Sequence, residues 1–347
     1  MFTSCDLFSP LSLVRLADYI RLSTTVATNA LLERKGHKHA LIITKGFKVN
    51  TPILAPFSFA VSRSRKPQDL LLIGNQSRPR IFDLNIRRPS PLYSEVVEVE
   101  ERVTLAGYTY DPQAAEHAVV FTEDGKVARG LRGPGWDGRH DAEGPGEVVR
   151  GLSGEAVRII KRPGEPSILY LIAHFMFLSD EASVRRDLET LYSKGYNSIA
   201  IVFVHSYTYP EHELTVGRIA RDIGFQQVSI SSQLIPMIKM VPRGVSSTAD
   251  AYLTPILMEY LDGFFKGFDD KLRRGSGKEA KGEREAGTKQ GEEGLHDPRV
   301  EFMGSDGGLL DLDNFSGLKS ILSGPAGGVV GYALTSWDEE RRQPVIG

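Results

Sequence analysis

Three stretches carry side chains whose types and spacing can do chemistry. Ser323-Gly324-Pro325-Ala326-Gly327-Gly328-Val329-Val330-Gly331-Tyr332 puts a proline just inside a helix start and surrounds it with glycines. A proline there is pre-set for the first turn, and bare glycine backbone lets an anion or a flat ring come close, so a nucleotide fits. A tight helix start packed on a sheet uses the same residues. Thr25, Thr28 and Asn29 fall on one face at helical spacing, with Ala27 and Leu31 on another; that polar face is either solvated or turned to a ligand. Ser305-Asp306-Gly307-Gly308 reads as a tight turn whose aspartate can meet a metal or a ribose, although serving the turn is the commoner use of Asp-Gly.

Histidine offers a fourth candidate. His205 follows an apolar run at the carboxyl end of a predicted strand, where open α/β sheets place ligand contacts. His205 and His212 lack a helical zinc spacing, and Ser206, Tyr207 and Tyr209 can equally hydrogen-bond a loop. Farther on, Ser246-Ser247-Thr248-Ala249-Asp250 places hydroxyls where a helix start needs caps, with Asp250 near its positive end.

The elements that must position these residues follow from periodicity. Thr24 to Gly36 predicts a helix capped by Thr24, with Arg34 and Lys35 at its negative end and Gly36 as its stop. Ala40 to Thr44 predicts a short buried strand, and Ser94 to Thr104 one alternating strand with Val97, Val99 and Val103 inward. A helix is predicted over Asp180 to Lys194, capped by Ser179 and ended by Gly195, then a strand over Ser198 to Val204. A helix near Glu211 to Ile223, a strand around Val228 to Ile230 and a strand at Val300 to Met303 complete the pattern, which argues for a layered α/β domain. Pro344-Val345-Ile346-Gly347 opens another strand.

Composition bounds the function. The chain has 347 residues and a net charge of −2, enough for one large core or two to three smaller ones, and no basic footprint for nucleic acid or an anionic membrane. One cysteine, Cys5, rules out an internal disulfide and a cysteine-based zinc site, which suits the cytosol. The longest apolar run, Ile168 to Leu178, falls far short of the roughly 20 residues a spanning helix needs. Met1 to Tyr19 carries Asp6 before any basic residue and no compact apolar run, so no secretion is expected. Arg273 to Gly294 has almost no apolar residue and predicts a disordered surface loop.

Taken together, several segments resemble the amino-terminal half of the hydantoinase A/oxoprolinase family. They are Thr24 to Gly36, Gly74 to Pro79, Phe82 to Pro89, Leu152 to Ala156, Val204 to Tyr207, Ser247 to Pro255, Ser305 to Leu309 and Ser316 to Tyr332, in family order. The resemblance implies an actin-like ATPase fold of two ribonuclease-H-like lobes, here incomplete, clasping ATP and Mg2+. Its implied activity is that of a 5-oxoprolinase, opening the lactam of 5-oxo-L-proline to L-glutamate with ATP hydrolysis. An ATP-dependent hydantoinase, an acetone-carboxylase-type subunit, and a non-catalytic nucleotide-binding or assembly fragment are the alternatives. By resemblance Thr24, Thr25, Thr28, Asn29 and His205 would lie at the reaction centre, and Asp306, Gly307, Gly308, Ser323, Gly324, Pro325, Gly327 and Gly328 on the nucleotide side. The implied partners are a cyclic amide substrate and either a second copy or a hydantoinase B-like half.

The resemblance also implies a division into an atypical segment 1–19, a hydantoinase/oxoprolinase amino-terminal region 20–240, and the start of a hydantoinase A domain at 241–347. Departures accompany it. Nothing in Met1 to Tyr19 matches the family's strand and Gly-Gly-Thr-type phosphate loop, and a second loop with its magnesium aspartate would follow Gly347, so the chain as written is expected to be inactive. Ser23 stands where the family has glycine. Removing Val49 to Gln68 joins Gly46-Phe47-Lys48 to Asp69-Leu70-Leu71 and restores the family pattern, as an insert or retained intron would require; Gly164 to Asp180 is a second such candidate.

Overall fold

The computed structural model describes residues 19–49, 68–69, 90–105, 120–121, 123, 127–129, 147–164, 181–266 and 299–336. In chain order the first elements are β1 (Tyr19–Leu22), α1 (Val26–Leu32), β2 (His39–Thr44), β3 (Lys48–Val49), β4 (Gln68–Asp69), β5 (Glu95–Val99), β6 (Arg102–Leu105), β7 (Val120–Phe121) and β8 (Val127–Arg129). Next come β9 (Glu147–Arg150), β10 (Ala156–Lys161), α2 (Glu181–Ser193), β11 (Ser198–Val202), α3 (Glu211–Ile223), β12 (Gln227–Ile230), α4 (Ser231–Leu234) and α5 (Met240–Phe265). The last are β13 (Arg299–Met303), β14 (Leu309–Leu310), a 3-10 turn (Leu312–Asn314), α6 (Gly317–Ser320) and α7 (Ser323–Ser336). The apolar run 168–178, the run 273–294 and the strand at 344–347 lie outside the described residues, as do the segments 74–79 and 82–89.

The chain divides into two compact units, one from residues up to 37 together with those from 252 onward, the other spanning 38–251. The second unit is the layered α/β domain that the alternation predicts. Its four-stranded sheet is parallel throughout, in the order β12-β11-β2-β5, with Ile42 opposite Ile201 and Val97. Both central strands are buried along their whole length, which is why Ala40 to Ile43 and Ile199 to Val202 read as apolar runs. Alternation then divides the side chains. Ala40, Ile42, Ile199 and Ile201 pack with Val184, Leu188 and Leu191 of α2 and with Val216, Ile219 and Ala220 of α3. Leu41, Ile43, Ala200 and Val202 pack with Ala251 on the other face. Gly195 and Gly224 stop α2 and α3 in the left-handed conformation, with φ of 82° and 111°. A second sheet in this unit is antiparallel, in the order β6-β10-β9.

The single strand predicted over 94–104 is two, β5 and β6, broken at Glu100 and Glu101, because Glu101 turns inward to a buried hydrogen bond. The helix predicted to open at Ser246 opens six residues earlier: Pro242 is tolerated in a first turn, where its missing N–H is needed by no bond. Its hydroxyls are therefore interior, and Thr248 Oγ1 donates back to Gly244 O at 2.8 Å instead of capping. Asp250 is buried and accepts from Ser229 Oγ at 2.8 Å. Pro255 within α5 withholds the N–H that would bond Ala251 O, and Ser198 Oγ donates to that carbonyl at 2.7 Å.

In the first unit β1 runs parallel to β13, and β14 turns back on β13. Leu257, Leu261 and Phe265, spaced one turn apart on α5, bury against Val300, Phe302 and Phe315, with the last two rings stacked at 4.8 Å. α1 is shorter than predicted. It spans Val26–Leu32, with Arg34 in left-handed geometry just beyond it, so neither Arg34, Lys35 nor Gly36 belongs to the helix. Gly36 instead lies under the Tyr252 ring, where a Cβ would sit 2.0 Å from Cε1.

β3 and β4 form a two-stranded antiparallel pair in which Lys48 faces Asp69. The two borders of the proposed insert therefore meet.

Candidate functional site

The threonines before and within α1 divide by what their side chains touch. Thr24 is 9% exposed; its N–H donates to Ser323 Oγ at 3.2 Å and its carbonyl accepts from the same hydroxyl at 2.7 Å. Its own Oγ1 accepts from Val26 N at 3.1 Å, so Thr24 caps the helix start from one position farther out than a direct cap. Thr28 Oγ1 donates to Ile321 O. These bonds fasten α1 and the residues before it to the end of α6 and the start of α7. Thr25 and Asn29, one turn apart, are exposed and make no side-chain hydrogen bond among the described residues. Two polar groups thus remain available on that face.

The glycines of α7 explain how closely the two segments meet. A Cβ at Gly324 would come within 2.8 Å of Thr25 Cγ2, whereas at Gly327 it would lie 3.5 Å from Ser23 Oγ, an ordinary contact that accommodates serine at position 23. At Gly328 and Gly331 a Cβ would meet nothing within 4 Å among the described residues, which leaves the helix backbone open there. Pro325 lies in the first turn of α7, as its position predicts, and is exposed.

The Asp306 turn joins the same unit. Gly304 N donates to Gly308 O at 2.7 Å and Gly308 N to Asp306 Oδ1 at 3.0 Å, with Gly307 at φ 81°. Ser305, which the sequence shows only as part of the turn, links it to α6 and to the residue before α7: its Oγ donates to Lys319 O at 2.6 Å and accepts from Leu322 N at 3.0 Å. A Cβ at Gly307 would lie 3.3 Å from Val330 Cγ2. The first unit therefore gathers Thr24, Thr25, Thr28, Asn29, Ser323, Gly324, Pro325, Gly327, Gly328 and the turn Asp306–Gly308.

His205 belongs to the other unit. It lies just past β11, half-buried, with φ at 57°, and its carbonyl accepts from Thr208 N at 3.1 Å and Tyr209 N at 3.0 Å. Burial holds its imidazole below the usual histidine range, and the positive charge of Arg243 adds to that. A neutral imidazole at the carboxyl edge of a parallel sheet can accept or relay a proton. Beneath it lie charged groups that sequence spacing does not reveal, because they meet only when strands and helices from distant segments assemble. Glu101 Oε2 is 2.8 Å from His212 Nδ1, and Arg243 Nη1 is 3.6 Å from Glu213 Oε1; all four side chains are buried.

Comparison with known proteins assigns the family. The model of the hydantoinase/oxoprolinase N-terminal region matches residues 12–56 and 57–224, and that of hydantoinase/oxoprolinase matches 243–347. The chain belongs to the hydantoinase/oxoprolinase family. Among curated members, the 5-oxoprolinase of Saccharomyces cerevisiae is 43% identical over 94% of this chain, and 5-oxoprolinase 1 of Arabidopsis thaliana is 40% identical over 95%. This chain spans 19% of the length of each. The crystal structure of the ATP-dependent caprolactamase from Pseudomonas jessenii superposes with a TM-score of 0.49 and 17% identity, over 95% of this chain and 34% of that one. In this member of the family, the described residues include no helix long and apolar enough to cross a membrane and no cluster of three or more His, Cys, Asp or Glu able to hold a metal.

Proposed function

We propose that this chain forms part of an ATP-dependent 5-oxoprolinase, which hydrolyses 5-oxo-L-proline to L-glutamate. The observation that carries the reading is identity of 38–43% to curated 5-oxoprolinases from yeast, plant and Dictyostelium discoideum along 94–95% of this sequence. Acetophenone carboxylase gamma subunit, at 23% identity, keeps a carboxylase-type subunit as the second reading.

The residues fit a nucleotide. The open glycine backbone at Gly328 and Gly331 admits a close-packed group, while the Ser323 hydroxyl is committed to Thr24 and fixes the helix start. Bound ATP supplies the phosphoryl group that makes the amide carbonyl, a poor electrophile, open to attack by water. In this reading Thr25 and Asn29 orient the reacting groups from the exposed face of α1. Magnesium takes one or two carboxylates together with phosphates and waters, and Asp306 offers one carboxylate, already steadied through Oδ1. His205 serves as a proton acceptor in its neutral form. The proposed setting is the cytosol, with assembly as a homodimer or with a hydantoinase B-like half. Since the chain spans a fifth of its relatives, it is proposed to be inactive alone.

The test measures ATP hydrolysis by the full gene product with 5-oxoproline, hydantoins or ketones as the second substrate. Phosphate and glutamate released together only with 5-oxoproline are expected; coupling to a hydantoin or to a ketone with bicarbonate replaces this reading with an alternative. Turnover by the 347-residue chain alone would overturn its proposed inactivity.

A further inference from the structure

Among the described residues, the side-chain hydrogen bonds of the buried Arg243 and Glu213 go to the turn bearing His205 or to the start of α4. Arg243 Nη2 donates to Phe203 O at 2.8 Å, and Nη1 donates to Ser206 Oγ and, at 2.7 Å, to Ser231 Oγ. Glu213 Oε1 accepts from Phe203 N at 2.8 Å and from Ser231 Oγ at 2.6 Å, while Oε2 accepts from Ser232 N at 2.9 Å. Both peptide groups flanking Phe203 are thus gripped, and Ser206 is gripped on the far side of His205. Val204 N donates to Thr44 Oγ1 at 3.1 Å, and Thr44 in turn donates to Glu101.

Such anchoring has a use. A non-glycine residue with φ of 57° is uncommon and costs free energy, and this one sits in a half-buried turn, unlike Arg34 at its exposed helix end, so the bonds that hold it are informative. A fully buried ion pair is poor evidence for stability, because apolar residues of similar volume commonly serve as well. A pair that spends its bonds on two backbone segments, this turn and the start of α4, sets their conformation instead.

We infer that Arg243 and Glu213 are positioning residues that hold the Phe203–Tyr209 turn in the one conformation that presents the His205 imidazole. The inference rests on the proposed role of His205 for its functional meaning, but the anchoring itself is separately measurable.

The experiment compares the labelled full chain with Arg243→Met and with the double variant Arg243→Met/Glu213→Gln, which leaves no buried charge unpaired. Amide exchange is followed at Thr208 and Tyr209, whose N–H groups bond His205 O, against Ile42 and Ile201 in the sheet. The expected result is exchange at least ~10-fold faster at the turn with the sheet amides unchanged. The His205 titration midpoint should also rise, since Arg243 no longer opposes protonation while Glu101, Arg102 and Tyr207 still face the ring. Arg243→Lys should restore part of both. Should the methionine variants fail to fold, Ser206→Ala removes one grip and leaves the charges, and the same local acceleration is expected. Unchanged exchange at the turn, or acceleration equal at turn and sheet, overturns the inference. Retained turnover of His205→Ala in the full gene product would remove the role of His205 and leave the anchoring result standing.

Discussion

The hydroxyl of Ser323 both accepts from and donates to the backbone of Thr24, in a position with no exposure to solvent. Removing it strands a buried N–H and a buried carbonyl, so Ser323→Ala should lower unfolding free energy by about 1–3 kcal/mol in urea titrations. Thr25→Val, at an exposed hydroxyl without partners, should stay within about 0.5 kcal/mol. Sequence spacing shows that these threonines lie near one another but not which are spent on structure, because partners almost three hundred residues away leave no local signature. A second residue-scale prediction concerns acid. Lys161 and Lys45 hold the Glu100 carboxyl at about 2, below its ordinary 4.5. The folded state therefore binds that proton less tightly than the unfolded state, and the pair's contribution is complete above the ordinary value and lost as pH falls through about 2. Because Glu100 is half-exposed, the contribution is under about 1 kcal/mol. The gap in stability between wild type and Glu100→Gln should be small at neutral pH and close on acidification, as read by urea melts; a gap that widens in acid contradicts this.

Elements buried on both faces were the most legible. β2 and β11 read directly as apolar runs, and α3 carries its inward residues at helical spacing with Gly224 after it. The start of α5 was not legible, since Pro242 and Gly244 look like breakers and the hydroxyls after them look like caps. The pairing of β1 with β13 was hidden for a different reason: parallel partners so far apart in the chain share no turn signal. At this scale the β3–β4 pair makes a prediction. Because Lys48 and Asp69 already face each other, deleting residues 49–68 should change stability by less than about 1 kcal/mol and leave the thermal transition cooperative. Loss of the folded circular dichroism signal on deletion would show that the segment is integral.

For the whole molecule, the family was legible because many short motifs recur in one order, each weak alone. The candidate site was legible only as a set of residues; its division into fastening groups (Thr24, Thr28, Ser323) and available groups (Thr25, Asn29) required the fold. In the proposed function, Thr25 and Asn29 serve coupled lactam hydrolysis. The deciding assay is phosphate and glutamate release from ATP and 5-oxoproline by the full gene product, wild type against Thr25→Val. Coupled release is expected from the wild type, with a loss of roughly 100-fold or more in the folded variant, the scale of removing one positioned donor. A variant that turns over like the wild type, or a wild type that never couples the two products, contradicts it.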